Sequence, residues 1–176
     1  MSEIGFKARE DWTVADLQQF FHQLNILYNR LYVFEEFRVE RKGRLATHLD
    51  NSLSRVPIDS VLLVKSLEIH SPAEFNFQGL GEVLSQIRKL VKDLLYENRI
   101  DKGKNEEELR HAGEMNQMDE AIKRTEVMKS QIELMRQAGL PESEIQNCLR
   151  KLIDPAGKML SIMHEKKVEV ISESDT

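Results

Sequence analysis

The sequence predicts an α+β fold: a small antiparallel sheet of about three strands packed by two amphipathic helices, with a long C-terminal helical arm. Three features point there. Two long stripes of apolar residues recur every three or four positions, which gathers them on one helix face. Shorter runs either alternate with period two or are rich in β-branched residues, as strands are. A third helical stretch, Glu106 to Ala138, has no proline and carries only a thin apolar seam.

Ile4, Phe6 and Ala8 alternate with polar neighbours and predict a first, half-buried strand. Trp12-Thr13 then opens a helix at Val14, because the Thr13 hydroxyl can cap its first turn and Asp16 sits by its positive end. Val14, Leu17, Phe20, Phe21, Leu24, Leu27, Tyr28 and Leu31 form the first stripe, to about Phe37. Arg38 to Asp59 has few spaced apolar groups and is expected to be a long mobile connection, a kind that is uncommon inside compact domains. Val61 to Ile69 and the alternating Phe75 and Phe77 predict two antiparallel strands joined through Ser71-Pro72. Gly79 and Gly81 lead into the second stripe, Leu80, Val83, Leu84, Ile87, Leu90, Val91, Leu94 and Leu95.

Beyond a polar break at Asp101 to Asn105, the arm should end at Gly139, followed by Leu140 and Pro141. Two short helices are expected next, Pro141 to about Leu152 and Asp154 to about His164, with Asp154 as cap and Pro155 in the first position. Val168 to Ile171 could add a last strand before an acidic tail. The implied organisation is a core over 1–100, the charged coiled-coil-like arm over 101–140, and short helices, strand and tail over 141–176.

At 176 residues, with 40% hydrophobic and 31% charged residues, the chain is long enough to bury a sizeable core. A net charge of −5 and a pI near 5.6 disfavour a dedicated nucleic-acid binder. Cys148 is the only cysteine, which rules out an internal disulfide and suits a reducing compartment. No apolar run reaches the roughly 18 residues of a membrane span, and the first ten residues lack a signal-peptide core. The cytoplasm is the expected location.

His22, His48, His70, His111 and His164 share no metal-ligand spacing, so no metal or other cofactor is expected. Cys148 lies on the apolar side of its helix and suits a core thiol better than a nucleophile. Gly79-Leu80-Gly81 lacks the third glycine and the lysine of phosphate-binding loops. The carboxylates are dispersed and single out no catalytic pair. Arg38, Arg41, Lys42 and Arg44 form a basic cluster that could touch nucleic acid, although a solvated loop is the simpler reading.

The helix core Leu27-Tyr28-Asn29-Arg30-Leu31-Tyr32, the strand Leu63 to His70 ending in Ser71-Pro72, and the amphipathic helix after the glycines together resemble a loosely defined group of uncharacterised bacterial proteins. The resemblance covers about residues 4 to 98 and implies a bacterial source and a shared α+β core, with no active residue to carry over. Members often continue into apolar membrane-type helices, whereas this chain continues into amphipathic and charged ones. Some sit among defence or mobile-element genes, which makes a defence association one expectation.

The seam of Leu109, Met115, Met118, Ile122, Met128, Ile132 and Met135 carries the leading functional expectation. A strip that narrow suits pairing with one other helix, and methionine makes it adaptable. A non-enzymatic assembly protein is expected, self-associating as a homo-oligomer or acting as an accessory subunit. The alternatives are a ligand-binding or enzymatic module with a pocket near His70, Ser71 and the basic cluster, and a nucleic-acid-contacting accessory protein.

Overall fold

The computed structural model describes residues 2–40, 45–70, 72–101 and 114–171, with side chains described except at 39–40, 95–101 and 114–118. The expected α+β class is what forms. In chain order the elements are β1 (Ser2–Ala8), α1 (Val14–Glu40), α2 (Leu45–Asp50), a 3-10 turn (Ser52–Ser54), β2 (Leu63–Glu68), β3 (Ala73–Gly79), α3 (Gly81–Asp101), α4 (Glu114–Arg124), α5 (Glu126–Gln137), α6 (Glu142–Glu165) and β4 (Val168–Ile171). The four strands make one antiparallel sheet in the order β2-β3-β1-β4. The last strand therefore does join the sheet, flanking β1 on the side away from β3.

Alternation sorts the two central strands into faces. Ile4, Phe6, Ala8, Ala73, Phe75 and Phe77 are buried, whereas Lys7 and Glu74 pair across the opposite, half-exposed face at 2.6 Å. Onto the buried face α1 lays its aromatic stripe. Phe20 meets Phe6 edge-on with ring centroids 5.4 Å apart, and Phe21 meets Phe75 and Phe77 at 5.7 and 5.4 Å. Such edge-to-face pairs add specificity to apolar burial. The helix opens with a capping box: Asp16 N–H donates to the Thr13 hydroxyl at 3.2 Å, and Thr13 N–H donates to the Asp16 carboxylate at 2.9 Å. The carboxyl of Asp16 is drawn down to about 2 by the hydrogen bond from Lys166 and by those from Thr13.

Tyr28 fixes the far end of the hairpin. Its hydroxyl donates to the Ser60 carbonyl at 2.6 Å and accepts from Leu80 N–H at 2.8 Å. A Cβ on Gly79 would stand 2.8 Å from this ring, so the strand can pass Tyr28 so closely only as glycine.

In three places the structure departs from the sequence expectation. Within Arg38 to Asp59, α2 packs Leu45 and Leu49 into the core and the chain after the 3-10 turn adds Val56, where a mobile connection was expected. The helix expected over Glu106 to Ala138 is described from Glu114, and it divides at Thr125. There the Thr125 hydroxyl donates to the Ile122 carbonyl at 2.8 Å and accepts from Met128 N–H at 3.4 Å, closing one helix and capping the next. α5 then ends as predicted, with Gly139 at φ +76° and bonds from Gly139 N–H to Arg136 and from Leu140 N–H to Met135.

The third departure is Pro155, which starts no new helix but lies buried inside the continuous α6. Proline in a helix interior costs about 3 kcal/mol, partly because it leaves the carbonyl four residues earlier without its N–H. That carbonyl belongs to Lys151, and the Arg30 guanidinium of α1 donates to it. One side chain thus satisfies the orphan and locks α1 to α6. Arg30→Met is expected to cost about 1–3 kcal/mol in urea denaturation. The loss should shrink when Pro155→Ala is added, because the new N–H can serve Lys151; an unchanged loss would refute the account.

Candidate functional site: an open sheet edge

Of the seam residues, Ile122, Met128 and Met135 are fully buried and Ile132 is half-buried against the same core. Leu109 lies outside the described residues, and Met115 and Met118 outside those with described side chains. The free apolar strip expected on the arm is therefore closed by the chain itself at Ile122, Met128 and Met135. The cause is the break at Thr125, which lets α4 and α5 each pack against α6 and α3. Residues from all three expected segments, from Ile4 to Val168, join one apolar core.

Of the basic cluster, Arg41, Lys42 and Arg44 lie outside the described residues. Arg38 is half-exposed and 3.5 Å from Glu35, at the end of α1 remote from the hairpin turn. It borders a cleft of about 370 Å³ between α1, α3 and α5. Through that cleft runs a polar chain: Gln131 Nε2 donates to Gln86 Oε1 at 2.9 Å, and Gln86 donates to Glu35.

His70 instead borders a recess of about 230 Å³ with Glu10, Asp11, Trp12, Ile69 and Ala73. α1 is 27 residues long, about 40 Å at 1.5 Å per residue, and separates the two places. Among the described residues, His70 and Arg38 therefore line separate clefts. Among the described residues no three His, Cys, Asp or Glu groups come together as metal ligands. Cys148 is a core thiol pushed up to about 11, chiefly by burial. No helix of the described residues is long and apolar enough to cross a membrane.

What stands open is β2. Directly paired residues in an antiparallel ladder share a face. Val64 pairs with Phe77 and Leu67 with Phe75, so both belong to the face that α1 covers over β3. Ile69, two residues beyond Leu67, continues that face. Yet Val64, Leu67 and Ile69 are 53%, 42% and 56% exposed, because the helical layer ends before it reaches this strand. All six residues of β2 are exposed, and among the described residues no strand lies on its outer side.

An apolar edge strand presents a row of unpaired backbone donors and acceptors, a template for another strand. Its one interruption is at Lys65, where the register slips between Val64 and Ser66. Such a bulge usually shields an edge, but here Ser66 to Glu68 beyond it keep regular pairing with β3. Sequence reading identified the strand and not its exposure. The polar Lys65, Ser66 and Glu68 among its apolar residues were the available signal.

No family model, curated protein or solved structure matches the chain.

Proposed function

We propose that this chain is a protein–protein interaction or assembly protein of the cytoplasm, and that its docking element is the free edge of β2. The observation that carries the reading is the exposed face of Val64, Leu67 and Ile69 beside a strand edge that no described strand pairs. A partner strand added there would gain main-chain hydrogen bonds, while its alternate side chains would meet these three residues. The lone buried cysteine needs no oxidising compartment, which supports the location.

The test is a photo-reactive amino acid at position 67 of the full chain in living cells. Irradiation should give an adduct with a second polypeptide, and Val64→Lys with Ile69→Lys should abolish it. No adduct, or one indifferent to these substitutions, would remove the reading.

A further inference from the structure

We infer that the polypeptide taken up at this edge is a second copy of the chain, joined β2 to β2 in antiparallel fashion about a twofold axis at Leu67. This rests on β2 being the docking edge and adds the identity of its occupant. The strand is self-complementary about Leu67. Same-face pairing about Leu67 sets Leu67 against Leu67, Ser66 against Glu68 and, with Lys65 taken up by the bulge, Val64 against Ile69 and Leu63 against His70.

The three uncovered apolar residues of each copy then form one continuous cluster on the helix side. Lys65 of each copy comes beside Glu68 of the other, and no like charges face each other. Centring the axis one residue earlier sets Glu68 against Leu63 and loses its approach to Lys65. Centring it one residue later sets Glu68 against Glu68, a repulsive pair. The opposite sheet edge, β4, has four residues and is half-covered, which makes β2 the longer and more open of the two. Pairing there would run the sheets of both copies, four strands each, into one.

The experiment uses the purified full chain. Light scattering at tens of micromolar should give twice the 20.5 kDa of one chain, and Ile69→Lys should halve that mass without changing the far-ultraviolet circular dichroism. Leu67→Cys should form a disulfide between copies under mild oxidation. Facing Cβ atoms at an antiparallel pair lie about 4.5–5.5 Å apart, near disulfide reach, and buried Cys148 offers no competing thiol. Leu53→Cys, more exposed than Leu67 but outside the strand, should not form one.

A monomeric wild type with no disulfide at position 67 overturns the second copy. If position 67 still crosslinks in cells to a polypeptide of another mass, the docking-edge reading survives with a different occupant. If neither occurs, both fall.

Discussion

Replacing Ile122 with glutamate is expected to cost about 4 kcal/mol of folding stability, a loss typical of a charge placed in a core without a partner. Ile122 is fully buried where α4 crosses α6, and a Cβ added at Gly157 would lie 3.7 Å from its Cδ1. A carboxylate there must either stay ionised without a counter-charge or take up a proton, and each outcome penalises the folded state. Ile122→Val should cost about 1 kcal/mol, and Arg124→Glu, on the exposed side of the same turn, should change stability by less than about 0.5 kcal/mol. Urea midpoints at constant slope would measure all three. If Ile122 instead faced a partner helix, its glutamate variant would change the mass in solution and leave the stability of the single chain nearly untouched.

The second large effect is expected at Phe20. Its ring stands 5.4 Å from both Phe6 and Trp12 and 6.3 Å from Phe75, joining α1 to the two central strands. Phe20→Ala removes a fully buried ring from beside Phe6 and Phe75, which are held on strands and cannot collapse into the space. The expected loss is about 3–5 kcal/mol, a large share of the roughly 5–15 kcal/mol that holds a domain folded. Phe21, half-buried toward the open side of the sheet, should cost less when truncated. Trp12 is the only tryptophan and packs against Phe20, so its fluorescence reports the transition directly. Equal losses at positions 20 and 21 would contradict the packing described.

The strongest sequence signals became structure almost residue for residue. The Thr13 cap, the stripe that follows it, the alternating Phe75 and Phe77 and the Gly139 stop are local features, each decided within a turn of helix or a few strand residues. Signals that depend on distant partners were not legible. Leu45 and Leu49, two apolar residues one turn apart, make too short a stripe to declare α2, and they become core because α1 and α6 lie beside them. Pro155 reads as a helix start until Arg30, 121 residues away from Lys151, supplies the missing donor.

The candidate site was the least legible part. The seam was chosen because a narrow stripe on one long rod cannot cover itself, and that inference assumed an unbroken rod. Thr125 was visible as an interruption, but only its paired bonds to Ile122 and Met128 make it a break. β2 was visible as a strand, and its polar Lys65, Ser66 and Glu68 hinted at exposure, but only the sheet order put it at an edge.

By itself, then, the sequence determined the α+β class, the two main amphipathic helices, the hairpin, the Thr13 cap and the Gly139 stop, because periodicity and capping act over a few bonds of backbone. Only the tertiary structure decided that Ile122, Met128 and Met135 lie inside while Val64, Leu67 and Ile69 lie outside. Both sets are apolar and regularly spaced. What divides them is which neighbour the chain brings back over each, a matter of long-range pairing and of where the helical layer ends.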